Sequence, residues 1–129
     1  MKHETAEALE RAASYIRRAQ KLVELRADHL GAFDAYNAMF RVAQGLLAER
    51  GVLVQREEEV LQGFLDHLVS TGEWSHEYYR QLQKVLGRWV AGVYSAEGAV
   101  TAAEANDVIR QAREFLELAR RSLGDDRPV

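Results

Sequence analysis

The segment from Phe33 to Gly51 constrains the fold of this chain more than any other stretch. Its large apolar side chains recur at the spacing of an α-helix and cover about half of the helix circumference. The residues of this arc are Phe33, Tyr36, Met39, Phe40, Ala43, Leu46 and Leu47. The opposite half carries mostly small or apolar residues, namely Ala35, Ala38, Val42, Gly45 and Ala48. Because almost no solvent-facing side remains, the segment is predicted to be the buried centre of a helical bundle or a subunit interface.

Length and composition bound the class of protein. The 129 residues suffice for one domain with a single core, and 47% hydrophobic with 29% charged residues is typical of a globular chain. A net charge of −3 argues against a dedicated nucleic-acid binder, and the lack of cysteine excludes disulfides and thiolate chemistry. The charged N-terminal segment does not resemble a signal peptide, and no apolar run approaches the roughly 18 residues of a membrane span. We therefore expect a cytoplasmic protein that does not contact a membrane.

The chain is predicted to be all-α, a compact up-down bundle of four to five helices. The only proline is Pro128, so no proline interrupts the body of the chain, and no alternating β-branched run indicates a strand. The bundle is expected to occupy residues 1–123 as a single domain, followed by a disordered tail at 124–129. The predicted helices cover residues 5–27, 30–50, 55–70, 75–93 and a stretch that begins at Thr101.

Helix-terminal residues support these boundaries. Thr5 is the expected N-cap of the first helix, because its hydroxyl can accept a hydrogen bond from an unpaired backbone N–H. Gly51 is the expected left-handed residue that ends the second helix. Thr101 and Glu104 form a capping-box pattern at the start of the fifth helix, in which each side chain would bind the other's backbone N–H.

The four histidines do not form a metal-binding pattern. Glu73 and His76 make one Glu-x-x-His unit, whereas di-iron bundles use two such units with two further glutamates. A surface histidine near a helix start is the simpler interpretation. We therefore predict no metal site and no cofactor.

Two polar residues, Asn37 and Gln44, lie on the border of the large apolar arc of the second helix. A buried asparagine without a partner would cost about 1–3 kcal/mol, so Asn37 must find a hydrogen bond. Its partner could be structural, within the bundle or across a symmetric dimer, or it could be a bound ligand. Together with their neighbours Tyr36 and Phe40, these residues are candidates for contact with a ligand or a partner.

Three motifs give the chain a family resemblance. Residues 35–40 read AYNAMF, residues 46–51 read LLAERG and residues 112–116 read AREFL. In their order and spacing they resemble the HEPN superfamily (higher eukaryotes and prokaryotes nucleotide-binding domain), over about Leu9 to Leu123. The second helix of that family typically reads Ala-Tyr-Tyr-Ala-Met-Phe, so Asn37 replaces the second tyrosine.

The resemblance implies a helical bundle, commonly a homodimer, and in many members a small nucleotidyltransferase antitoxin as partner. Active members are toxins that cleave RNA without a metal, using an arginine followed about four to six residues later by a histidine. The matching arginine is Arg88, but residues 92–94 read GVY and supply no histidine. Tyr94 would be a poor proton shuttle near pH 7, because the ordinary pKa of tyrosine is about 10. Arg88 and Tyr94 are thus weak catalytic candidates, and Arg88 and Trp89 join the candidate ligand- or interface-binding residues.

Three hypotheses follow. The first is a non-catalytic HEPN-like module that binds a partner protein, such as a small nucleotidyltransferase, or a nucleotide. The second is a divergent metal-independent RNase that retains Arg88 and Tyr94 and takes a base from elsewhere, such as His76 or His67. The third is a homo-oligomeric helical protein without a ligand. We rank them in that order, and we expect that the chain is not an enzyme.

Overall fold

A computed structural model of the chain describes residues 1–125, and within this range it contains five α-helices and no strand. The helices are α1 (His3–Glu24), α2 (Asp28–Glu49), α3 (Glu57–Phe64), α4 (His76–Val90) and α5 (Ala102–Ser122). A π-helical turn, Leu65–Val69, continues α3, and a 3₁₀ turn, Val93–Ser95, follows α4. The predicted all-α bundle is confirmed. None of the described helices is long and apolar enough to cross a membrane.

Helix α2 is the centre of the bundle. It contacts each of the other four helices and the 3₁₀ turn. Fourteen of its 22 residues are buried, and they include the small residues opposite the large apolar arc. The prediction that this segment is buried nearly all round is therefore confirmed, and a single chain provides enough neighbours to bury it.

Helices α1 and α2 approach each other closely at two glycines. A Cβ atom added to Gly31 would lie 3.0 Å from the carbonyl oxygen of Ala19 and 2.8 Å from a methyl group of Val23. A Cβ atom added to Gly45 would lie 3.2 Å from the Cβ of Ala8. The two backbones can pack at this distance because neither position of α2 carries a side chain.

An ion pair adds a polar link between the same two helices. Nε of Arg18 on α1 donates to Asp34 on α2 at 2.7 Å, and Nη2 donates to the other carboxylate oxygen at 2.8 Å. Asp34 is only 3% exposed, so the two hydrogen bonds from Arg18 offset the free-energy cost of burying its carboxylate. The Asp34 carboxylate in turn raises the pKa of Arg18, by hydrogen bonding and by its charge.

Several predicted helix boundaries are wrong. Thr5 is not the N-cap of α1, because the helix begins at His3 after Lys2, and Thr5 is fully buried inside the first turn. The first helix ends at Glu24 rather than at residue 27. In the turn that follows, Arg26 adopts a positive φ of 63°. Helix α4 ends at Val90 rather than at residue 93, because the chain turns through a left-handed Gly92 with φ of 77°.

The predicted end of α2 is confirmed. Gly51 has a φ of 80° and its N–H donates to the carbonyl of Ala48 at 2.9 Å. The N–H of Val52 donates to the carbonyl of Leu47 at 3.0 Å, which completes the two-bond pattern of a Schellman motif. The left-handed glycine therefore turns the chain sharply away from α2 and into the 52–55 loop.

The C-terminal prediction is only partly within the described range. The N–H of Gly124 donates to the carbonyl of Arg121, and the N–H of Asp125 donates to the carbonyl of Arg120, which closes the end of α5. Residues 126–129 lie outside the described residues, so the disordered tail at 124–129 stays a prediction.

We expect Gly31→Ala to destabilise the fold by about 1–3 kcal/mol, the usual cost of overpacking, because the new methyl group meets the backbone of α1. Gly87→Ala is the matched control, since Gly87 is also helical but no atom lies within 4 Å of its added Cβ. The higher helix propensity of alanine should then stabilise this variant by up to about 1 kcal/mol. Urea unfolding of both variants measures the difference, and equal stabilities would contradict the close approach of α1 and α2.

Candidate functional site

Five aromatic rings join α2 to the end of α4 and to the 3₁₀ turn. Tyr36 is central: its ring centroid lies 5.1 Å from Phe40, 5.8 Å from Trp89 and 5.9 Å from Tyr94, while Phe33 lies 4.9 Å from Trp89. The structure thus brings together four of the residues singled out from the sequence. Tyr36 and Phe40 are only 2% and 6% exposed, so their rings act mainly in packing.

A groove of about 670 Å³ runs beside α2. Its walls come from the N-terminal half of α1, one side of α2, the 52–55 loop and the start of α3. All four predicted α2 residues, Tyr36, Asn37, Phe40 and Gln44, line it. The other lining residues are Glu4, Glu7, Ala8, Arg11, Arg41, Ala48, Val52, Leu53, Val54, Gln55, Glu57 and Val60.

Polar side chains of α2 form a row along this groove. The Asn37 Nδ2 donates to the carbonyl of Phe33 at 3.1 Å, so its amide nitrogen has a structural partner inside its own helix. The Gln44 Nε2 donates to the carbonyl of Val54 at 3.1 Å, and its Oε1 accepts from Arg41 at 3.1 Å. Gln44 therefore ties the 52–55 loop to α2 and holds the guanidinium of Arg41 in the groove.

Arg41 is the half-buried cation of this row. Within residues 1–125 it forms no ion pair with a carboxylate, and its hydrogen bond to Gln44 leaves further N–H groups free to donate. Leu53, which also lines the groove, is 71% exposed. Sequence reasoning missed both residues, although Arg41 lies four residues after Asn37 and three before Gln44, which is the spacing of one helix face.

The hydroxyl of Tyr36 links two elements that line the groove. It donates to Oε1 of Glu57 at 3.1 Å and so ties α2 to the start of α3. Burial, followed by the charge and hydrogen bond of Glu57, raises the pKa of Tyr36. This hydroxyl therefore stays protonated and serves a structural role at neutral pH.

Arg88 and Tyr94 do not line the groove; they line a smaller cavity of about 140 Å³ between α4 and α5. The guanidinium of Arg88 forms an ion pair with the carboxylate of Glu104. The N–H of Glu104 donates to Thr101 Oγ1 at 3.1 Å, so only one half of the predicted capping box forms, because the Glu104 side chain is directed to Arg88.

Tyr94 is only 2% exposed, and its hydroxyl has no hydrogen-bond partner in the described part of the chain. Burial raises the pKa of Tyr94 to about 12, with Arg88 lowering it and Glu104 raising it by their charges. A hydroxyl with this pKa is neutral at pH 7 and is a poor proton acceptor or donor for catalysis.

Of the two histidines considered as alternative bases, His76 is far from Arg88 in the same chain. His76 and Arg88 lie at opposite ends of α4, which separates their backbones by about 18 Å at 1.5 Å rise per residue. His76 contacts Arg80, whereas Glu73 pairs with Arg50, so the Glu-x-x-His unit does not converge. His67 is exposed in the π-helical turn. No group of three or more potential metal ligands occurs among residues 1–125.

A family model described as the HEPN domain matches residues 5–122, which is nearly the whole chain. The chain belongs to the HEPN family. The resemblance drawn from the AYNAMF, LLAERG and AREFL motifs is thereby confirmed. A search of curated proteins finds no match. The matched range includes the Arg88 cavity and every residue that lines the groove beside α2 except Glu4, so both lie in the HEPN domain.

The raised pKa of Tyr94 predicts a loss of stability at high pH. The unfolded chain ionises this hydroxyl near the ordinary pKa of about 10, whereas the folded chain does so near 12. The contribution of Tyr94 is complete below about pH 10 and is lost as the pH rises toward the folded pKa. Across that window we expect the free energy of unfolding to fall by up to about 1.4 kcal/mol per pH unit from this group. Urea unfolding measured over the window should show a shallower slope for Tyr94→Phe, and an unchanged slope would contradict the assignment.

Proposed function

We propose that this HEPN domain is a non-catalytic binding module whose groove beside α2 binds a partner protein. The partner that we expect is a small nucleotidyltransferase, and we expect the domain itself to be a homodimer. The observation that carries the proposal is that Arg41 and Leu53 line the same groove. One is a cation without a carboxylate partner in the described chain, and the other is a large apolar side chain held out in solvent.

The groove has the mixed character of a protein interface. Its floor is closed by buried aromatic rings, its walls carry amide and guanidinium donors, and its lip presents the apolar Leu53. Non-obligate interfaces combine apolar anchors with polar contacts in this way. Arginine is enriched among the residues that contribute most to binding, which makes Arg41 the expected polar anchor.

The surroundings of Arg88 support the non-catalytic part of the proposal. The arginine that the family uses near its histidine is neutralised by Glu104, and Tyr94 has a pKa of about 12. Proton transfer at neutral pH needs a group with a pKa near the working pH. Within the chain, Tyr94 does not meet this requirement, and no histidine of the sequence lies within six residues of Arg88.

A nucleotide is the second candidate ligand of the groove. A volume of about 670 Å³ lies within the range of roughly 300–1,000 Å³ that small-molecule pockets occupy. The free donors of Arg41 could bind a phosphate group. The buried state of Tyr36 and Phe40 leaves little ring surface for a base to stack on, which is why we prefer a protein partner.

We expect Leu53→Asp to weaken binding of a nucleotidyltransferase from the same organism by at least about tenfold, or ~1.4 kcal/mol, because a charge replaces an apolar contact. Leu25→Asp is the matched control, since Leu25 is 77% exposed in the α1–α2 turn, outside the groove. Both variants should keep the wild-type fold, because neither side chain is buried.

Binding of the purified proteins by biolayer interferometry measures both variants, and light scattering gives the mass of the domain in solution. Equal binding by the two variants, or no binding by the wild type, would refute the proposal. A nucleotide that binds the wild type but not Arg41→Ala would establish the second candidate instead.

We expect the purified chain to leave RNA intact, with Arg88→Ala indistinguishable from the wild type in a gel-based cleavage assay. The physical reason is the lack of a proton-transfer group matched to neutral pH near Arg88. Cleavage by the wild type that disappears in Arg88→Ala would establish the divergent RNase and exclude a purely binding role.

A further inference from the structure

The 52–55 loop has the side-chain alternation of a short β-strand. Val52 and Val54 are partly buried and pack against the core, whereas Leu53 and Gln55 are exposed. A period of two is that of extended backbone, in which successive side chains point to opposite sides. The loop contains neither a turn nor a bend, and Arg56, which follows it, is extended with a φ of −76° and a ψ of 142°. The loop is therefore an extended segment that pairs with no strand of the described chain.

One edge of this segment is hydrogen-bonded to α2. The N–H of Val52 donates to the carbonyl of Leu47 at 3.0 Å, and the carbonyl of Val54 accepts from Nε2 of Gln44 at 3.1 Å. In extended backbone the N–H and C=O of one residue point to the same edge, and those of the next residue point to the opposite edge. Residues 52 and 54 therefore direct their backbone polar groups to α2.

The opposite edge is unpaired. It carries the backbone N–H and C=O groups of Leu53 and Gln55, and none of these four groups forms a hydrogen bond within residues 1–125. Both residues are exposed, so another chain can reach this edge. Outward N–H and C=O groups on alternate residues are the unit with which a neighbouring strand pairs, and an unpaired edge of this kind is a template for another chain.

The side chains beside this edge indicate what such a chain would carry. Arg41 lines the same groove and donates to Oε1 of Gln44, the residue that binds the loop. Arg41 forms no ion pair in the described part of the chain, so its remaining N–H groups match a carboxylate. Leu53 is 71% exposed and offers an apolar contact. An acidic and an apolar side chain therefore complement this part of the groove.

We infer that the 52–55 loop binds an extended segment of the partner protein by β-strand addition, through backbone hydrogen bonds with Leu53 and Gln55. The segment carries a carboxylate for Arg41 and an apolar side chain for Leu53. This pairing rests on the function proposed above, because it names the part of the partner that the groove receives. In this binding mode main-chain hydrogen bonds supply affinity, and contacts with alternate side chains supply specificity.

Gln55→Pro removes one of the two backbone donors of this edge. Gln55→Ala is the matched control, since both variants lose the glutamine side chain and only the first loses the N–H. Proline also favours an extended conformation in the residue before it, which agrees with the backbone of the loop. We expect Gln55→Pro to bind the nucleotidyltransferase at least about tenfold more weakly than Gln55→Ala, because a carbonyl of the partner loses its donor. Biolayer interferometry measures the affinities, and circular dichroism checks the fold of both variants.

Hydrogen exchange followed by NMR supplies a readout on the unchanged chain. We expect the amides of Leu53 and Gln55 to exchange at least about tenfold more slowly in the complex than in the free chain, since both become hydrogen-bonded. The amide of Val52 is the internal control, because it is bonded to Leu47 before the partner binds. Should Gln55→Pro fail to fold, this measurement decides the question.

The outcomes separate strand pairing from the proposed function. If the wild type does not bind the nucleotidyltransferase, the proposed function fails and the strand pairing fails with it. If the wild type binds, the strand pairing alone is overturned when Gln55→Pro binds as tightly as Gln55→Ala, or when both amides exchange as fast in the complex as in the free chain. Slow exchange of both amides in the partner-free chain that depends on its concentration also overturns it, since the edge would then pair with a second copy.

Discussion

The close packing of α1 against α2 is the constraint on which the rest of the structure depends. Gly31 and Gly45 remove the side chains that would separate the two backbones, and the Arg18–Asp34 ion pair links the same surfaces. With α1 this close on one side, α2 is buried nearly all round by residues of its own chain. The polar residues of α2 that are not covered, Asn37, Arg41 and Gln44, therefore stand out as the lining of a groove.

The features that were predictable from the sequence are local ones. Helical periodicity in residues 33–51 identified the central helix, because a helix without a polar side has few stable positions other than a core. Gly51 identified the end of that helix, since the backbone conformation there favours glycine. The family resemblance also rested on short motifs within single helices, and the HEPN match over residues 5–122 confirms it.

The features that were not predictable arise from contacts between distant residues. The pairing of Glu104 with Arg88 joins residues of different helices and takes the carboxylate from the capping box that its sequence pattern indicates. Tyr36 donates to Glu57, which lies 21 residues later in the chain and on a different helix. The helix boundaries predicted at residues 5, 27 and 93 were wrong for a related reason. Turn geometry and tertiary packing decide where a helix begins and ends.

The hydrogen bond from Gln44 to Val54 has a consequence for the binding that we propose at the groove. The 52–55 loop has no regular secondary structure, yet this bond fixes its backbone against α2 and holds the exposed Leu53 in place. A loop that is ordered before binding spares the complex the entropic cost of ordering it afterwards. In the binding mode that we propose, Gln44 therefore supports affinity through the rigidity that it gives to one wall of the groove.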